Sequence, residues 1–133
     1  MRRMKTRQKQ VNAQRERQKT SAQLELEAKM AYCYGTENYY VDPSVCYTYT
    51  DGVRTFVKEA GAGWLLTEFN RFICGQKEFC SLKLVVKDSK ADILKDGKKV
   101  KHIAFTDCPD GEWEFFYQPD GVPPRVLMWH GEY

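Results

Sequence analysis

Glycine and proline are missing from the first thirty residues, histidine occurs only twice in the chain, and no Cys-x-x-Cys pair is present. The longest apolar stretches fall far short of the roughly 20 residues a membrane-spanning helix needs. No apolar segment follows the basic start, where Lys5, Thr6, Arg7 and Gln8 succeed Met4, so no secretory signal is expected. With His102 and His130 alone, a histidine-rich metal centre is excluded. The five cysteines (Cys33, Cys46, Cys74, Cys80 and Cys108) are odd in number, which argues against a closed disulfide framework. Reduced thiols and a cytoplasmic location are expected.

What is present divides unequally. Residues 1–30 carry nine Lys/Arg against three Glu, a net of +6, whereas the remainder carries twelve against fifteen, a net of −3. A basic arm (1–30, helical or disordered) is therefore expected ahead of a single mildly acidic domain (31–133). The arm consists of good helix formers, but Val11, Leu24, Leu26 and Met30 fit no sustained apolar stripe. By itself it has too little apolar surface to offset the entropy of ordering. Arg2, Arg3, Lys5, Arg7, Lys9, Arg15, Arg17 and Lys19 would neutralise phosphates without sequence preference, making non-specific nucleic-acid contact a second reading of this segment. Met30-Ala31 also resembles an internal start, from which a shorter product would begin.

Six tyrosines follow between positions 32 and 49, in a stretch broken by Gly35 and Asp42-Pro43. The stretch reads as a loop-rich lead-in with short extended pieces. Tyr34, Tyr39, Tyr40, Tyr47 and Tyr49 are the candidate partner-binding residues, because tyrosine is enriched at protein interfaces. Next, Val53, Phe56, Val57, Ala60, Trp64, Leu65 and Phe72 recur at helical spacing, with Thr50 or Asp51 to cap the start and Gly75 to end it. Gly61-Ala62-Gly63 should kink this helix or split it into two, and allow close backbone packing there. The insert lacks the preceding strand and following Lys-Ser/Thr of a phosphate loop.

From Phe79 the apolar period falls to two. Cys80, Leu82, Leu84 and Val86 mark one strand, a short strand surrounds Ala91–Leu94, and Asp96-Gly97 signals a hairpin. Further strands follow around 100–105 and 125–130. Between two Pro-Asp-Gly turns, residues 112–118 place Trp113, Phe115 and Tyr117 on one face and Glu112, Glu114, Phe116 and Gln118 on the other. The expected architecture is α+β: a helical pair packed on one face of a four- to five-stranded antiparallel meander, with a basic N-terminal helical arm.

The candidate chemistries are weak beside this architecture. No ligand pair has zinc-like spacing, and Asp110-Gly111 and Asp120-Gly121 lack the acidic alternation of a calcium loop. Cys108 with His102 or His130 is a conceivable nucleophile pair, but two flanking carboxylates would raise the thiol's pKa. An open stacking platform at Trp113, Phe115 and Tyr117 would set acidic neighbours against phosphate, so burial of the rings is expected. No catalytic residue, metal or cofactor is assigned.

Five short segments carry a resemblance: Gly35–Tyr39, Tyr49–Val53, Ala62–Thr67, Phe105–Asp107 and Glu132-Tyr133. In this order they resemble an uncharacterised family of small proteins from phages, plasmids and bacteria, over about residues 34–133. The resemblance implies an α+β domain. Its mobile-element setting implies a non-catalytic inhibitor that binds and blocks a host macromolecular complex, such as a defence nuclease or another nucleoprotein.

Overall fold

The structure, a computed structural model, describes residues 21–133. Helix α1 spans Ser21–Ala31, strands β1 and β2 span Tyr39–Val41 and Thr48–Thr50, and helices α2 and α3 span Asp51–Ala60 and Trp64–Ile73. Strands β3 (Cys80–Lys87), β4 (Lys90–Lys95), β5 (Lys98–Ile103), β6 (Gly111–Gln118) and β7 (Val126–Trp129) follow, and a short 3-10 turn covers His130–Glu132.

Of the two outcomes the glycines allow, a kink or two helices, the structure has two helices. Thr50 caps α2, its hydroxyl accepting from the Val53 amide, and Gly61 ends the helix in a left-handed conformation at φ 63°. The expected reason was wrong in part: a Cβ on Gly61 or Gly63 would meet nothing within 4 Å. At Gly61 the positive φ, rather than a close backbone approach, favours glycine. Val53, Phe56 and Ala60 of α2 and Leu65, Leu66, Phe69 and Ile73 of α3 are buried against the sheet.

One seven-stranded sheet runs in the order β1-β2-β7-β6-β3-β4-β5. This corrects the expected four or five strands, because the three-residue strands β1 and β2 extend the sheet beyond β7. It also corrects the meander. β3, β4 and β5 are consecutive neighbours, but β6 returns to pair with β3, which is Greek-key order. A parallel pairing of β2 with β7, Thr48 opposite Val126, joins the two ends of the domain. Both hairpin turns place their two central residues at positive φ, Asp88-Ser89 and Asp96-Gly97, as the twist of two-residue hairpins requires.

Trp113, Phe115 and Tyr117 of β6 lie buried opposite Leu84, Leu82 and Cys80 of β3, as their alternation predicts. Both Pro-Asp-Gly turns use a positive-φ glycine, at Gly111 and Gly121. Helix α1 was expected to belong to the arm. Instead Leu26 and Met30 are 3% and 2% exposed within the core cluster, so the expected boundary at Met30 falls inside a helix that the domain buries. At the far edge β5 presents Lys98, Lys99 and the exposed Val100, a charged edge that disfavours pairing with another chain.

Candidate partner-binding surface

The chain between α1 and β1 has no regular structure, yet two carboxylates hold it. Asp51, in the first turn of α2, accepts from the backbone amides of Glu37 and Asn38 at 3.0 and 2.9 Å and from the Tyr40 hydroxyl at 2.7 Å. Glu132, at the opposite end of the chain, accepts from the Thr36 and Thr50 hydroxyls at 2.7 and 2.6 Å. It also accepts from the amides of Gly52 and Trp129 at 3.2 and 2.9 Å. Both carboxylates stand at the N-terminus of α2, where unpaired amides and the helix dipole favour negative charge.

The Asp51 carboxyl sits below its ordinary range, chiefly because of the Tyr40 hydroxyl and then the two amides. A pKa lowered by folding means that the stabilisation is complete above the unfolded value, near 3.8, and is lost as pH falls through the folded value. Asp51→Asn should therefore be less stable than wild type at neutral pH, and the gap should narrow as pH falls below 3.8. Urea denaturation at neutral and acidic pH checks this.

The tyrosines divide by what they touch. Tyr34 and Tyr39 are exposed, 77% and 48%, as is Tyr32 at 81%. Tyr40 stacks on Tyr49 with ring centroids 5.7 Å apart, and the Arg54 guanidinium lies over the Tyr40 ring at 4.4 Å. Tyr47 is a correction to the candidate set: it is 3% exposed and donates to the Leu66 carbonyl at 2.5 Å, so it faces the core. Arg2, Arg3, Lys5, Arg7, Lys9, Arg15, Arg17 and Lys19 lie outside the described residues.

A second aromatic group was not expected. Phe79, Phe116 and Tyr133 meet on the sheet face away from the helices, with centroids 5.2 to 5.4 Å apart. Phe79 and Tyr133 remain exposed at 43% and 75%. The sequence signal was Phe116 itself, an apolar ring on the otherwise polar side of the alternation in β6.

The cysteines and histidines do not assemble as the nucleophile reading requires. Cys108 is buried, its amide donating to the Thr106 hydroxyl, and its thiol pKa is pushed up to about 12, more by burial than by Asp110. His102 Nδ1 instead contacts Asp92 at 2.7 Å, and His130 lies against Trp129. Among the described residues no three Cys, His, Asp or Glu side chains gather at a spacing fit for a metal ion. None of the helices among the described residues is long and apolar enough to cross a membrane.

The chain matches the model of a family of unknown function (DUF6876) over residues 24–133, and it belongs to that family. The match begins inside α1, ahead of the expected Tyr34, and so includes the buried Leu26 and Met30. No curated protein and no solved structure matches it. Thr36, Thr50, Asp51, Gly52 and Glu132, all from segments that carried the resemblance, converge on the two carboxylate hubs.

Proposed function

We propose that the protein is a non-catalytic docking protein that presents Tyr34 and Tyr39 to a macromolecular partner and acts by occluding it. One observation carries this reading. The segment bearing these exposed rings is tied down between them, at Thr36, Glu37 and Asn38, by Glu132 and Asp51. Tyrosine supplies large amphipathic contact area at little entropic cost, and prior anchoring of the backbone reduces that cost further. Tyr40, bonded to the same Asp51 carboxylate, is held by its packing on Tyr49 and by Arg54.

The partner is a host nucleoprotein, because a net charge of +6 in residues 1–30 complements nucleic acid adjoining the protein face that the tyrosines would contact. The mobile-element setting of the resemblance favours an anti-defence inhibitor, with a defence nuclease as the target class. The same charge supports a second reading, direct nucleic-acid binding through the arm.

Affinity capture with full-length protein as bait, in nuclease-treated lysate, separates the two. A stoichiometric protein partner is expected, and the double variant Tyr34→Ala/Tyr39→Ala should lose most of it. The control Tyr47→Phe removes one buried hydrogen bond, lowers stability by about 1 kcal/mol and retains the partner. Recovery unchanged by the double variant would sink the docking surface. Recovery that disappears with nuclease treatment would favour the second reading.

A further inference from the structure

Two of the five cysteines, Cys46 and Cys74, line the same cleft although 28 positions separate them in the chain. Cys46 lies in the loop between β1 and β2, and Cys74 is the residue that ends α3. Asn70 fixes both backbones. Its side-chain oxygen accepts from the Cys46 amide at 2.8 Å, and its carbonyl accepts from the Cys74 amide at 2.9 Å. Both cysteines line a cleft of about 510 Å³ whose walls include Lys77, Tyr117, Asp120 and Arg125. Cys74 is exposed, Cys46 half-buried, and the cleft opens to solvent beside two cations.

The other three cysteines differ. Cys80 and Cys108 are buried, and the Cys33 thiol is occupied with the Lys29 carbonyl. Two cysteines tied by one asparagine to the wall of the same cleft require little backbone movement to close, whereas distant cysteines cannot be bridged without it.

We propose that Cys46 and Cys74 form a reversible thiol–disulfide site that exchanges with organic disulfides entering this cleft. The exposed Cys74 sulfur, as thiolate, attacks one sulfur of the organic disulfide and expels the other half as a thiolate. Cys46 then gives up its proton, and its sulfur attacks Cys74 in the mixed disulfide, releasing the second half. Two protein thiols are oxidised to one disulfide, and the organic disulfide is reduced to two thiols. The new bond ties the β1–β2 loop to the end of α3. The site stands independently of the docking reading, since neither Tyr34 nor Tyr39 lines the cleft. Burial raises the pKa of the Cys46 thiol, and the Arg125 guanidinium, which lines the cleft with Lys77, partly offsets it.

The experiment treats reduced full-length protein with glutathione disulfide at stepped ratios to glutathione, then alkylates the remaining thiols and measures intact mass. The expected product has two thiols protected together, a mass lower by two hydrogens before alkylation, no retained glutathione, and a peptide map joining Cys46 to Cys74. Cys46→Ser should trap glutathione on Cys74, and Cys74→Ser should abolish rapid protection. If either variant misfolds, wild-type protein is titrated instead with a monosubstituted trivalent arsenical, which a dithiol holds in a two-sulfur chelate. One arsenical bound per chain, blocking alkylation of Cys46 and Cys74 together, would sustain the proposal. Glutathione persisting on Cys74 in wild type, five thiols equally open to alkylation, or no chelation would overturn it.

Discussion

Replacing Glu132 with alanine is expected to lower the free energy of unfolding by about 3 kcal/mol, although the residue is one place from the C-terminus. Terminal residues normally tolerate change because few contacts hold them. Glu132 is different, since its carboxylate accepts four hydrogen bonds, from Thr36, Thr50, Gly52 and Trp129. Thr50 is 1% exposed, so its hydroxyl would lose a partner in a place water does not reach. A buried donor left unpaired costs about 1–3 kcal/mol, far more than the net gain of an ordinary hydrogen bond. Glu132→Gln should fall between alanine and wild type. Its amide oxygen can keep two of the donors, but its NH2 group would then face the Gly52 amide, donor against donor. Guanidinium denaturation followed by far-ultraviolet circular dichroism orders the three proteins, and equal midpoints for Glu132→Ala and wild type would refute the hub.

Gly52 tests the same junction from the other side. In an exposed helix, glycine to alanine stabilises by about 1 kcal/mol. Here the added Cβ would lie 2.2 Å from Glu132 Oε1 and 2.7 Å from the Cβ of Trp129. The clash exceeds the propensity gain, so Gly52→Ala should be destabilising. In the double variant with Glu132→Ala the carboxylate clash disappears but that with Trp129 remains. The two losses should therefore add to less than their sum.

Legibility in the sequence followed the range of the interaction. A cap at Thr50 or Asp51, a break at the Gly61–Gly63 insert and the inward face of β6 were readable, because each depends on residues within about one or two turns of chain. Strand neighbours were not. The alternation in β3 announces one buried face, but it looks the same whether β6 or another strand pairs beside it. Strands β1 and β2, three residues each, are too short to show a period, and β2 finds its partner 78 positions away at Thr48 and Val126. Glu132 was invisible as a hub for the same reason, its bonds to Gly52, Thr50 and Thr36 bridging 80, 82 and 96 positions. The tyrosines show the limit most directly. Tyr34 and Tyr47 sit in similar polar, tyrosine-rich surroundings in sequence, yet one is 77% exposed and the other 3%.

Phe56→Ala should be the most disruptive core substitution of those proposed, with a loss of about 4 kcal/mol. Phe56 is fully buried, and its ring lies 5.4 Å from Trp113, 5.1 Å from Phe115 and 6.3 Å from Trp129, joining α2 to both β6 and β7. Truncation removes the apolar area of one ring and leaves a cavity among three others that are held by the sheet and cannot close over it. With a domain of this size stabilised by about 5–15 kcal/mol in total, such a loss brings the variant near its threshold. Phe56→Leu keeps much of the volume and should cost about 1–2 kcal/mol, chiefly from the missing edge-to-face contact with Phe115. Tryptophan emission of the folded alanine variant should shift to longer wavelength as Trp113 and Trp129 become more hydrated, and the denaturation midpoint should fall sharply. Tyr34→Ala, by contrast, should stay within about 0.5 kcal/mol of wild type, as expected for an exposed side chain with little packing. If Phe56→Ala and Tyr34→Ala unfolded at the same denaturant concentration, the aromatic cluster between the helices and the sheet would not be the core of this domain.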